Sequence, residues 1–368
     1  MTISPLQVGE KPVFIACDIR STSGEGRLAL AHMETVYRMQ VVGSVARSFS
    51  LRHGAGTVVS PKFPALPRWK HSLFSYRWLM GQLIKIRLRK AQNVVVLNYL
   101  PLWNPLFFLL VPNCVRMGPI TGGGKINPRH LGSTGVQRQT TLLLRNFFTP
   151  ILYAISRCII TSRGISVKPA TPSVSAALGF DASLPRAIEA APPPLDFMNF
   201  IADRRTKTLD VVAYVGIHPL KNSRLTIKTV NALAETGFKV AIIGPLTSSD
   251  VLHASIQHLS HIDYCETLTL INQSVVVLSL SLEQAGFFSL EASYMGVPVL
   301  CLPESGGARL PGATLLASSE ETLSSEMLSS RAEDIIRSTR EHPETHFAAI
   351  SAATRALHDK AKLFFNSD

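Results

Sequence analysis

A chain of 368 residues, 46% of them hydrophobic, is long enough for two domains that each bury a core. Its formal net charge of +12 is unevenly held: residues 1–200 carry 23 Lys and Arg against 7 Asp and Glu, residues 201–368 carry 14 against 18. No uninterrupted apolar window of membrane-spanning length is expected, because the nearest stretch, Asn98 to Cys114, is broken by Pro101, Asn104, Pro105, Pro112 and Asn113. Met1 to Val8 lacks the basic start and apolar core of a secretory signal, so the expected location is the cytoplasm. Cys17, Cys114, Cys158, Cys265 and Cys301 form no C-x-x-C pair and read as buried thiols, which argues against a disulfide framework or a zinc site.

Val13-Phe-Ile-Ala-Cys17 reads as a buried strand, and Gly24 and Gly26 lie in the turn behind it, ahead of a helix. Such glycines let the backbone approach a ligand, and a helix start offers N–H groups to phosphate, although an ordinary strand-to-helix turn has the same pattern. Between Glu34 and Asp181 there are nineteen Lys and Arg and no carboxylate. The densest part, Lys62 to Lys90, interleaves its basic residues with Phe63, Trp69, Phe74, Tyr76 and Trp78. That pattern suits an anionic lipid surface, a solvated face or nucleic acid. No zinc-ligand spacing, RNP-like run or G-x-x-G clamp accompanies it, so the expectation is peripheral attachment to the inner face of an anionic membrane and no nucleic acid.

Further strands are expected near Val41-Val42 and at Val94–Leu97, Val115–Met117, Cys158–Ile160 and Ala187-Ile188. The Val115 strand runs into a second glycine cluster, Gly118-Pro-Ile-Thr121-Gly122-Gly123-Gly124, and His130 beyond it reads as a surface histidine. Pro192 to Asp196 and the polar run Ala202 to Thr208 mark a seam. The expected domains are therefore 1–196 and 209–368 with a linker at 197–208, the final helix packing back on the first domain.

A second series of strands follows at Val211–Val215, Val240–Ile243, near Ile262, at Val275–Leu278 and at Val297–Leu300. Ser223 to Gly237 has helical spacing in Leu225, Ile227, Val230, Leu233 and Ala234. Strands alternating with helices predict an α/β fold of two Rossmann-like, doubly wound parallel-sheet domains. Between the last two strands lies Glu283-Gln-Ala-Gly286-Phe287-Phe-Ser-Leu-Glu291, which sets two carboxylates around a strand-to-helix turn. Gly286 and Phe287 there offer N–H groups at a helix N-terminus, where anionic oxygens are favoured. The bland alternative is that Glu283 caps the helix and Glu291 is a solvated helix residue.

Glu283 to Glu291, with the Ala292-x-x-x-Gly296-x-Pro298-Val299 tail, resembles the E-x7-E signature of retaining nucleotide-sugar glycosyltransferases of the GT-B architecture, the family-4-like group that includes many bacterial polysaccharide glycosyltransferases. The resemblance implies two Rossmann-like domains facing across a cleft, with a nucleotide-sugar donor bound mainly by the second and a saccharide or lipid-linked acceptor by the first. It assigns Glu283 to the donor sugar or its developing positive charge, Glu291 to the ribose hydroxyls, and Gly286 and Phe287 to the sugar–diphosphate end. Lys221, in the loop Gly216-Ile-His-Pro-Leu-Lys221-Asn222, would stabilise the departing diphosphate. Gly24 and Gly26 would lie beside the donor diphosphate, and Thr121, Gly122 and Gly123 at the cleft. The implied setting is cell-surface polysaccharide or lipopolysaccharide synthesis.

Two departures stand out: Ile217 occupies the place of a phosphate-binding arginine, and the family's cleft histidine is absent. Arg20, Arg27 and Lys125 are candidates to complete the clamp. The competing reading is an inactive glycosyltransferase-like binding or partner subunit. A Rossmann-type NAD enzyme fits poorly, because neither glycine loop shows the full G-x-G-x-x-G spacing. No Asp-x-Asp stands at a strand end, so no metal and no cofactor beyond the donor substrate are expected.

Overall fold

The computed structural model describes residues 207–341 apart from 284–286 and 319–320, residues 104–121 apart from 114, residues 125–169 apart from 133–134, and shorter stretches at 13–16, 41–45, 48–51, 57–59, 77–85, 94–97, 100–101 and 347–350, with isolated residues beyond these. Gly24, Gly26, Gly122, Gly123, Gly286, Arg20, Arg27, the expected strand at Ala187-Ile188, the seam before Lys207, the end of the chain and most of Lys62–Lys90 lie outside the described residues. The chain divides into two units: Met1–Gly123 with Thr149–Pro194 and His358–Asp368, and Gly124–Phe148 with Leu195–Leu357.

The first unit holds a parallel sheet in which β1 (Val13–Ile15) lies between β4 (Thr57–Val59) and β5 (Val94–Val96). β5 pairs in turn with β7 (Val115–Thr121), which also takes β6 (Leu100–Pro101) and β8 (Ser166–Pro169). β2 (Val41–Val45) and β3 (Ser48–Leu51) form a separate antiparallel pair. Ile15, Val94, Val96 and Met117 pack with Leu79 and Leu83 of α1 (77–85), Phe107 and Phe108 of α2 (Pro105–Leu110), and Ile160.

Ile160 belongs to a helix, not to the expected strand at Cys158–Ile160. In the second unit α3 (Gly135–Leu143) runs into a π-helical turn, Leu144–Phe148, and α4 (Thr149–Arg163) follows in the first. Three consecutive apolar residues fit either period. What decides the matter is the longer row Thr149, Ser156 and Ile160, which faces inward at helical spacing. Gly135–Arg163 is also long and apolar enough to cross a membrane by length and composition, although Arg145 and Asn146 interrupt its apolar run. Cys158 and Cys265 are exposed, against expectation, because each falls on the outer face of a helix; Cys301 is buried as expected.

The second unit contains a six-stranded parallel sheet. Its strands are β9 (Leu209–Tyr214), β10 (Val240–Ile243), β11 (Gln257–Leu259), β12 (Ser274–Ser279), β13 (Val299–Cys301) and β14 (Ala313–Leu315), in the order β11-β10-β9-β12-β13-β14. β11 stands where a strand near Ile262 was expected, because Asp263 instead caps the next helix through a reciprocal pair of bonds with Glu266. Val211, Ala213 and Val215 face one layer, which includes Leu225, Val230 and Leu233 of α5 (Ser223–Glu235) and Leu328, Ala332 and Ile336 of α8 (Ser325–Glu341). Val212 faces the other, with Leu268 and Ile271 of α6 (Tyr264–Gln273) and Leu290 of α7 (Phe287–Tyr294). Helices on both faces explain why the strands are apolar throughout rather than alternating.

Candidate functional site

Numbered by their succession, the strands of the second sheet run 3-2-1-4-5-6, and the direction of winding reverses between β9 and β12. At such a reversal the loops leaving two adjacent strands diverge and open a crevice at their carboxyl ends. β9 is followed by Gly216 to Asn222, and β12 by Leu280 to Glu283, so the topology alone brings Lys221 and Glu283 together. Their Nζ and Oε2 atoms lie 2.5 Å apart, and with side chains 23% and 28% exposed the pair is open to a ligand.

The Lys221 loop is held at each turn. Ser223 Oγ donates to the Gly216 carbonyl at 2.6 Å and accepts from its N–H at 2.9 Å. Leu220 presents its carbonyl to Leu282 N at 2.7 Å and Ser281 Oγ at 3.2 Å, tying the two strand-end loops to one another. Gly216 gives the lysine stem its path, because a Cβ there would stand 3.1 Å from Lys221 Cγ. Lys221 Nζ also sits 4.9 Å from the centroid of Tyr214, whose ring lies 5.9 Å from that of Phe288 on α7.

Asn222 closes the loop in the left-handed region, at φ 53°, a conformation that asparagine tolerates better than most residues. It is buried, and its amide makes three bonds: Nδ2 donates to the carbonyls of His130 at 2.8 Å and Leu280 at 3.1 Å, and Oδ1 accepts from Gly132 N at 2.7 Å. Through these bonds a segment 90 residues upstream forms a wall of the unit that carries Lys221. His130, read from sequence as a surface residue, is fully buried; Nδ1 lies 2.6 Å from Glu304 Oε2 and Nε2 3.1 Å from the Glu321 carbonyl. Sequence gave no signal for this, because both partners lie more than 170 residues away.

Arg145 projects from the π-helical turn of the same segment. Its neighbour Asn146 fixes that turn by accepting from Ile126 N at 2.8 Å and donating to Ile126 O at 2.9 Å. Arg145 Nη1 is buried without a hydrogen-bond partner among the described residues. Its charge reaches His218: burial is the main force lowering the His218 pKa, Glu283 opposes it, and Arg145 and Lys221 reinforce it. Arg145 is thus a cation near the Lys221 loop that the sequence did not single out, whereas Ile217 is 70% exposed.

On the far side of Glu283, Gly306 N donates to the Glu283 carbonyl at 2.9 Å. The turn Gly306–Arg309 lies against α7, and a Cβ on Gly307 would come within 2.9 Å of Ser289 Oγ. Phe287 is the first residue of α7, and Glu291 on that helix is 3% exposed, which removes the solvated-helix reading of this carboxylate. Thr121 ends β7 in the first unit and Lys125 is exposed in the second. Among the described residues no cluster of three or more His, Cys, Asp or Glu is arranged to hold a metal ion.

No protein-family model and no curated protein matches the sequence. Solved structures do match along nearly its whole length. WaaG, a glycosyltransferase involved in lipopolysaccharide biosynthesis, aligns with a TM-score of 0.54 at 13% identity, covering 97% of this chain and 100% of that one. Anabaena HepE in complex with UDP and glucose gives 0.51 at 13%, covering 97% and 98%. Sucrose-phosphate synthase of Thermosynechococcus elongatus gives 0.51 at 12%, covering 97% and 98%. At these identities the likeness is one of fold, and the chain has the α/β parallel-sheet fold of the GT-B glycosyltransferases.

Proposed function

We propose that this protein is a retaining glycosyltransferase that moves a sugar from a nucleotide-sugar donor to a saccharide or lipid-linked acceptor in cell-surface polysaccharide or lipopolysaccharide synthesis. The observation that carries the reading is the Lys221–Glu283 pair at the winding reversal between β9 and β12. An ammonium there would meet the diphosphate, and a carboxylate 2.5 Å from it would face the sugar end. In the transfer, the bond from the sugar's anomeric carbon to the diphosphate oxygen breaks and the acceptor oxygen bonds to that carbon. The acceptor proton leaves with the diphosphate. Negative charge grows on the leaving group and positive charge on the sugar, so fixed opposite charges at the two ends lower the barrier.

The Lys221 and Glu283 charges satisfy each other at 2.5 Å. A diphosphate would draw Lys221 away and free Glu283 for the sugar, making the ion pair a placeholder for the donor. Glu291, buried on α7, is assigned to the ribose, and the N-terminal turn of α7 at Phe287 to the sugar–diphosphate end. Arg145 supplies the second phosphate-directed cation that position 217 lacks.

The competing reading, a binding subunit without turnover, predicts nucleotide binding alone. Incubation with a panel of nucleotide sugars and saccharide acceptors, with the product anomer read by NMR, decides between them. Product with the donor's anomeric configuration supports a retaining transferase; inverted product refutes the retaining mechanism; donor binding without product supports the partner subunit.

A further inference from the structure

His218 precedes Lys221 on the loop that leaves β9, and its ring is fixed from two sides. Pro219 confines the residue before it to extended backbone, and His218 has φ −70° and ψ 135°. Its Nδ1 accepts from the Leu220 N–H at 3.3 Å and so caps the turn Pro219–Lys221. An amide N–H can only donate, so Nδ1 carries no proton in this arrangement. The neutral imidazole is therefore the tautomer with its hydrogen on Nε2, on the edge of the ring turned away from Leu220. Nε2 has no hydrogen-bond partner among the described residues.

Burial is the main force lowering the His218 pKa; Glu283 opposes it, and Arg145 and Lys221 lower it further. The ring thus shares the electrostatic surroundings of the Lys221–Glu283 crevice and stays neutral at pH 7. A cation here would repel Arg145 and Lys221, whereas a neutral donor adds a hydrogen bond without adding charge. Although burial dominates that shift, the residue as a whole is exposed, which leaves the ring within reach of a ligand. Capping alone does not account for a histidine at this place, because asparagine and serine cap better and 3.3 Å is long for the bond. Beside it Ile217, 70% exposed, offers no polar side chain.

We infer that His218 binds the donor's diphosphate, its Nε2–H giving a neutral hydrogen bond to a phosphate oxygen beside the Lys221 ammonium. The inference rests on the proposed use of this crevice for a nucleotide sugar. The Leu220 bond sets the tautomer and the direction of the ring before a ligand arrives, so the donor is already aimed when negative charge grows on the leaving group.

Two substitutions separate the two ring nitrogens. Asparagine places an oxygen where Nδ1 stands and keeps the Leu220 bond, but nothing replaces Nε2. Glutamine carries an amide N–H as far out as Nε2 and gives up the short cap. The diphosphates of uridine, thymidine, guanosine, adenosine and cytidine, each with its parent nucleoside as control, are titrated calorimetrically into full-length wild type, His218→Asn and His218→Gln, and the melting temperature of each protein is recorded. His218→Asn should melt with or above the wild type yet bind the diphosphate roughly tenfold more weakly, with the nucleoside unaffected. His218→Gln should melt lower and keep more of the diphosphate affinity than His218→Asn. A residue that only held the loop would give the reverse, with affinity following stability. Diphosphate affinity in His218→Asn equal to or above that in His218→Gln, or equal losses for nucleoside and diphosphate, would overturn the inference and leave the nucleotide site standing. No binding of any of these diphosphates by the wild type would overturn both.

Discussion

Lys221 Nζ and Glu283 Oε2 stand 2.5 Å apart although 62 residues separate them in sequence, because adjacent strands β9 and β12 end at the same reversal of winding. The pair makes the two substitutions diverge. Glu283→Gln removes the charge that faces the sugar and also releases Lys221, so kcat should fall by roughly 10²–10³-fold while nucleoside diphosphate binding holds or tightens. Equal losses in kcat and in nucleotide affinity would show that Glu283 acts on the nucleotide instead.

Asn222 serves as the anchor of the Lys221 loop. Asn222→Ala loses three bonds and places Ala in the left-handed region, at an expected cost of about 2–4 kcal/mol. Asn222→Gly loses the same bonds but accepts φ 53°, so it should be more stable than Asn222→Ala by about 1 kcal/mol. Urea denaturation of the three proteins checks both values. Identical stability for Ala and Gly would mean that the backbone conformation contributes nothing.

Arg145 should matter to a ligand more than to the fold. Its buried Nη1 lacks a partner among the described residues, so Arg145→Ala should leave the melting temperature unchanged or raise it. The same substitution should weaken a nucleoside diphosphate by roughly tenfold, the scale of one charge-assisted bond, and leave the parent nucleoside unaffected. Arg145→Lys should recover part of the loss. Equal effects on nucleoside and diphosphate would place Arg145 away from the phosphates.

His218 gives the fold a pH response of known sign. Burial, with Arg145 and Lys221, holds its folded pKa below the ordinary 6.5 against the opposing pull of Glu283. As pH falls through 6.5 the unfolded chain takes up the proton first, so the neutral residue's contribution to stability is complete above 6.5 and declines toward the folded pKa. Comparing wild type with His218→Gln by denaturation from pH 7.5 to 5 isolates this term. The wild type should lose more stability over that span, and parallel curves would refute the burial of a neutral imidazole.

The features legible in the sequence were those with short-range causes. Val240–Ile243 and the helix from Ser223 follow from local periodicity, and Glu283 stands out because a strand end, a glycine turn and a helix start follow one another within a few residues. What was hidden depends on distant partners. Nothing near His130 signals that Glu304 and Asn222 will enclose it, and nothing local moves Gly124–Phe148 into the unit with Leu195–Leu357. Arg145 belongs to no motif; its place near His218 comes from where its turn is pinned, by Asn146 on Ile126. Cys158–Ile160 misled because three apolar residues carry no period of their own.

Whether a nucleotide's phosphates bind where Lys221 meets Glu283 is read by calorimetric titration of nucleoside diphosphates into wild type and Lys221→Ala. The wild type should show one site per chain and the variant a loss of affinity of roughly tenfold or more, since a charge-assisted contact is removed. Full affinity in Lys221→Ala, or no binding of any nucleoside diphosphate to the wild type, would contradict phosphate binding there.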